Sequence, residues 1–106
     1  IKSLDYKQQA LQKEADNGKL VLQNQLQNAF QQYNQNLSQY NYYKSIALPN
    51  AEIIISTAKV GFKSGDIGYI EYLQALQTAT DVQLNYLQSV NALNQSIVNI
   101  NFLTNK

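Results

Sequence analysis

The chain contains no cysteine, histidine, methionine, tryptophan or arginine. Without cysteine there can be no disulfide, and without histidine and methionine as well there is no thiolate, imidazole or thioether to hold a soft metal ion. Without arginine it lacks the side chain best suited to fork a phosphate or a guanine edge, and eight lysines against seven acids leave a formal net charge of only +1, so no nucleic-acid partner is expected. No histidine can serve as a base, and the acids are scattered from Asp5 to Asp81, whereas catalysis needs convergent groups. Neither an enzymatic activity nor a cofactor is expected. No run approaches the roughly 20 apolar residues of a membrane-spanning helix; the best, Ala51–Ile55, is interrupted by Glu52. The chain opens without methionine or a signal-peptide pattern and reads as a piece of something longer.

What it has in abundance is amide. Asn and Gln supply about a quarter of the residues, but they alternate with apolar residues at a steady helical spacing that disordered low-complexity tracts lack. Apolar or small residues recur at Leu4, Leu11, Ala15, Gly18, Leu22, Leu26, Ala29, Tyr33, Leu37, Tyr40 and Ala47, mostly three or four apart, which predicts one stripe of a long helix over about 3–47. Asn17-Gly18 could mark a hairpin turn, but period-two alternation is missing on both sides, so the helix is expected to run through it.

The first punctuation is Leu48-Pro49-Asn50. Proline removes an amide donor and clashes with the preceding turn, so a kink or short break is expected there, with a second helix over about 50–63. Three of the four glycines then fall within Gly61–Gly68. Gly65 is suited to the left-handed conformation that ends a helix, so the chain should turn at about 63–68. A third helix is expected over about 69–104, with Gly68 as N-cap and Glu71 in its first turn, where a carboxylate favours the positive dipole end. Its stripe reads Tyr69, Tyr72, Leu73, Leu76, Ala79, Thr80, Leu84, Leu87, Val90, Leu93, Ile97, Ile100 and Leu103.

These features predict an all-α fold: a single long antiparallel hairpin over 1–106, coiled-coil-like, with its first arm kinked at Pro49 and its turn near Lys63–Gly68. The arms are unequal. At about 1.5 Å per residue the outgoing arm is roughly 54 Å long and the incoming one could reach about 90 Å. Leu103 should then lie near Ala29, leaving about the first 28 residues without an antiparallel partner in the chain. Such an exposed stripe argues for a larger bundle or for self-association.

Gly61, Gly65 and Gly68 superficially suggest a phosphate loop, but the required Gly-Lys-Ser/Thr ending and a preceding strand are both missing. Asp66 and Glu71 flank a helix start, where capping and dipole compensation account for them. The tyrosines at 33, 40, 42, 43, 69, 72 and 86 mostly fall on or beside the stripe, favouring packing over base or sugar stacking.

The segment Leu48-Pro49-Asn50-Ala51-Glu52, then Ala58-Lys59-Val60-Gly61-Phe62-Lys63-Ser64-Gly65-Asp66-Ile67-Gly68-Tyr69-Ile70-Glu71-Tyr72-Leu73-Gln74-Ala75, resembles the second repeat of TolC-like outer-membrane efflux proteins, especially those of heavy-metal and cation pumps. Asn85-Tyr86-Leu87 and Ile100–Asn105 resemble that family's final helix. The likeness covers residues 48–105; residues 1–47 fit by pattern alone.

The resemblance implies the inner, periplasmic end of a trimeric helical tunnel in a Gram-negative outer membrane protein, without a membrane-spanning segment here. Its hairpin would meet a periplasmic adaptor protein served by an inner-membrane resistance-nodulation-division pump. It further implies an adaptor-docking turn of Phe62, Lys63, Ser64, Gly65, Asp66, Gly68 and Tyr69, and a channel entrance lined by Glu71 and Gln74. Gln74 stands where the family usually has Asp, and Ile67 replaces a polar latch residue of some members. Two other readings stay open: a generic coiled-coil interaction segment, and the hairpin of the adaptor itself, whose Arg-rich, Leu-Ala-containing tip motif is missing here.

Overall fold

A computed structural model describes residues 2–105; Ile1 and Lys106, the ends of the expected 1–106 unit, lie outside the described residues. Helix α1 spans Lys2–Tyr42, a π-helical turn covers Tyr43–Ala47, α2 spans Leu48–Ser64 and α3 spans Tyr69–Thr104. Together they form an antiparallel helical hairpin, a rod of 92 × 20 × 15 Å with no strand among the described residues. Helix α1 passes through Asn17-Gly18 without interruption.

The seam between the arms is narrow and built of small residues. Ala29, Ala47, Ala51, Ala58 and Ala79 are buried together with Ser89 and Ser96, and Ala79 is fully enclosed. Small side chains let two helices approach closely, and larger ones, half-buried, close the seam from its edges. On α3 the seam positions run Tyr72, Ala75, Ala79, Val82, Tyr86, Ser89, Leu93, Ser96, Ile100 and Leu103, with Leu76, Val90 and Ala92 half-buried beside them. This is an unbroken alternation of three- and four-residue steps, the spacing of a coiled coil.

That seam differs in part from the stripe expected from residue type. Leu84 and Leu87, 53% and 60% exposed, face outward, and Ser89 and Ser96 take seam positions instead. Helical phase decides the matter. Once Ala79 and Leu93 are fixed on the seam, the 3.6-residue period brings Val82, Tyr86 and Ser89 round to it and carries Leu84 and Leu87 past it.

On the first arm the same alternation runs Leu22, Leu26, Ala29, Tyr33, Asn36, Tyr40, Tyr43 and Ala47, and resumes as Leu48, Ala51, Ile55, Ala58 and Phe62. Ala47 and Leu48 occupy equivalent positions in the repeat, so the arm carries one residue more than a continuous heptad. In a plain α-helix that residue would rotate everything beyond it by about 100°. The π turn absorbs it by closing hydrogen bonds one residue further back, with the Leu48 N–H donating to the Tyr43 carbonyl. The irregularity expected around Pro49 therefore takes this form. Helical geometry returns at Leu48, and Pro49 sits in the first turn of α2, where its missing N–H is tolerated.

The polar members of the seam are hydrogen-bonded. Asn36 Nδ2 donates to Ser96 Oγ and to the Ala92 carbonyl, and the Ser89 hydroxyl donates to the Tyr86 carbonyl. Tyr40 stacks on Tyr86 with ring centroids 5.9 Å apart, and Lys44 Nζ lies 5.7 Å from the centroid of the Tyr40 ring. Leu103 and Ala29 line one shared groove near the open end of the seam. Residues 2–21 are all exposed, and α1 projects beyond the end of α3 as a single helix.

Charge is distributed in bands. Residues 20–43 and 82–105, most of which form the open half of the paired region, contain no Asp, Glu or Lys, and Asn or Gln fills 21 of those 48 positions. Gln32, Asn36, Gln88, Asn91, Gln95 and Asn99 share a shallow groove along one side of this band.

Candidate functional site: the hairpin turn

The turn lies at the closed end of the rod, and its backbone is fixed by a Schellman motif. Gly65 adopts φ 86°, ψ 4°, the left-handed conformation open to a residue without a Cβ. The Asp66 N–H donates to the Gly61 carbonyl at 2.8 Å and the Gly65 N–H to the Phe62 carbonyl at 3.3 Å, the six-to-one and five-to-two bonds of that motif. The Ile67 N–H and the Ser64 hydroxyl also reach the Gly61 carbonyl, at 3.2 and 3.1 Å. The Gly61 and Phe62 carbonyls in the last turn of α2 are thereby satisfied from within the turn.

Two side-chain contacts reinforce it. Ile67 folds back over Gly61, where an added Cβ would lie 3.3 Å from Ile67 Cγ1. Phe62 stacks on Tyr72 with centroids 5.0 Å apart and 19° between planes, and Tyr69 lies tilted against Phe62 at 6.2 Å. These geometries are favourable for aromatic pairs, so the end of α2 is tied to the start of α3 across the turn.

Helix α3 starts from Gly68, whose carbonyl accepts the Tyr72 N–H at 3.0 Å. Gly68 supplies no side-chain cap, and the first-turn acid Glu71 complements the positive end of the dipole. Lys63 in the last turn of α2 does the same for the negative end.

The residues singled out in the sequence are thus gathered at one tip. Lys63, Ser64, Gly65, Asp66, Gly68 and Tyr69 are exposed, and Phe62 is partly so while bracing Tyr72. Glu71 and Gln74, three residues apart on the first turns of α3, are both exposed and lie one helical step from each other. Ile67, Gly61 and Tyr72 complete the turn from within. Ile67 finds an apolar seat on the bare backbone of Gly61. The tip offers a surface with one cation, two anions, a hydroxyl, a phenol and the exposed apolar Ile70. Among the described residues no three of His, Cys, Asp and Glu converge as metal ligands, and no helix is long and apolar enough to cross a membrane.

No family model, no curated protein and no solved structure matches the chain.

Proposed function

We propose that this hairpin is the periplasmic tip and tunnel segment of a trimeric outer-membrane efflux channel of the TolC-like kind, from a Gram-negative bacterium, in a tripartite system exporting cations or drugs. Its turn docks the periplasmic adaptor, which is served by a resistance-nodulation-division pump of the inner membrane. The observation that carries this reading is the tip: an exposed turn held rigid by its own hydrogen bonds and aromatic stack at the end of a 92 Å rod. A surface already fixed in its bound shape loses little entropy on docking. The Phe62-to-Ala75 segment that resembles the family builds this turn and the start of α3.

Glu71, one per protomer, would form a ring of three carboxylates at the entrance and favour cations, as charged rings do in other pores. In the full-length channel, Glu71→Gln is expected to lower cation conductance; unchanged conductance removes the ring from the proposal.

The unbroken coiled-coil spacing of α3 favours a second reading, a coiled-coil interaction segment with no special use for its tip. A photo-crosslinker at Ser64 or Asp66 in cells separates the two. The channel reading expects a crosslink to a periplasmic adaptor, whereas the coiled-coil reading expects crosslinks along the arms and none at the turn.

A further inference from the structure

We propose that the projecting part of α1 is an interface for a second copy of this chain, bound antiparallel so that two hairpins join tail to tail. The proposal uses none of the tip residues and does not rest on the channel reading.

The stripe of the projection is the exposed Leu4, Gln8, Leu11, Ala15 and Gly18, ending on the half-buried Leu22, again in alternating three- and four-residue steps. It leads into the seam of the hairpin at Leu22 and Leu26, so a helix laid on it would continue an interface already formed by the same kind of packing. Leu4 and Leu11 are 63% and 65% exposed, and Gly18 has nothing within 4 Å of where a Cβ would stand.

A second copy fits this stripe in size and charge. When Leu11 of one copy is set against Ala15 of the other, Leu4 meets Leu22 and Gln8 meets Gly18, large facing small across the centre as close helix approach requires. On one flank this register brings Asp5 of each copy within a helical turn of Lys19 of the other, giving two opposite-charge pairs. Gln12 then faces its own counterpart across the two-fold axis, where an amide can both donate and accept. The other flank carries one unfavourable approach, Glu14 to Glu14. Within one copy Asp5 and Lys19 are separated by about 21 Å of helix and cannot pair with each other.

The test is sedimentation of the full 106-residue chain at low salt, from about 10 µM to about 0.5 mM, a range suited to a small interface. A concentration-dependent dimer is expected. Asp5→Lys or Lys19→Asp alone should weaken it about tenfold, since two attractive pairs become repulsive. The combined Asp5→Lys/Lys19→Asp chain should regain the original affinity, and Glu14→Gln should bind more tightly than the original. Under oxidation Gln12→Cys should form a disulfide-linked dimer, whereas Leu4→Cys should not, because Leu4 meets its own counterpart only in a parallel pair. A monomer at the highest concentration, a dimer indifferent to the charge reversals, or a Leu4→Cys crosslink would each overturn the proposal. All these positions are exposed in the single hairpin, so far-UV helicity should be retained and loss of folding does not confuse the result.

Discussion

If the π turn exists to absorb one residue, removing that residue and adding another should have opposite effects. Pro49 must first be replaced, because in a regular helix its ring would clash with the carbonyl four residues back and cost about 3 kcal/mol. In a Pro49→Ala background, deletion of the exposed Ser45 places Leu48 four residues after Tyr43, in the seam position that Ala47 held, and lets α1 run into α2 as one α-helix with a continuous heptad. The deletion is expected to stabilise the hairpin by about 1 kcal/mol, the worth of a regained well-formed hydrogen bond, raising Tm by about 4–8 °C. Inserting an alanine after Ser45 gives the arm two extra residues, one more than the turn absorbs. The face beyond it then rotates by about 100° and carries Ala51, Ile55, Ala58 and Phe62 off the seam. At about 25 cal/mol per Å² of apolar surface returned to water, four partly buried side chains amount to roughly 3 kcal/mol, a fall in Tm of more than about 10 °C. Thermal unfolding followed by far-UV circular dichroism distinguishes the three chains. Equal damage from deletion and insertion would refute the register argument, because it would mean that the extra residue is not what the π turn accommodates.

Other substitutions test separate parts of the molecule. Gly65→Ala puts a Cβ on a residue at φ 86° and should cost about 1–2 kcal/mol, seen as a lower urea midpoint with an unchanged slope. Asn36→Ala leaves the Ser96 hydroxyl without its seam partner and should cost about 1–2 kcal/mol. Asn36→Leu leaves the same hydroxyl unpaired but adds apolar burial, so it should cost less than Asn36→Ala while loosening the register of the arms, detectable as additional crosslinked products between cysteines placed on α1 and α3. Gly18→Ala, at an exposed helical position with open space around it, should slow amide exchange in the projecting part of α1 by the equivalent of about 1 kcal/mol.

The hairpin itself, its turn and its unequal arms were legible in the sequence because each rests on a local signal. Glycine at 65 marks a helix end, Gly68 and Glu71 mark a start, and residue counts from the turn give the projection; α3 begins at Tyr69 and the shared groove of Ala29 and Leu103 lies where counting places it. The seam was less legible. Ser89 and Ser96 look like surface residues, and Leu84 and Leu87 look like core, until the phase of the whole helix is fixed by its small residues. Spacing carries that information, and side-chain type obscures it in a hairpin close enough to prefer alanine and serine over leucine. The π turn gave only an indirect sign, Pro49, because the extra residue shows up only when the heptads on either side are numbered separately. At the tip, Ile67 reads as an anomaly in sequence. Its reason is the bare backbone of Gly61, a contact between residues six apart that no periodicity reveals.

The uncharged band has a consequence for how the rod responds to its surroundings. Amides do not titrate, and with no fixed charge there is nothing for dissolved ions to screen. That stretch of the rod is therefore electrically quiet, and acidity or salt acts mainly on the projection and on the closed half, which carries Lys44, Glu52, Lys59 and Asp81 as well as the tip. Tip and projection become independent sensors joined by an inert spacer: what ionic conditions do to one is not relayed electrostatically to the other, and any coupling between them must be mechanical, through the packing of the seam.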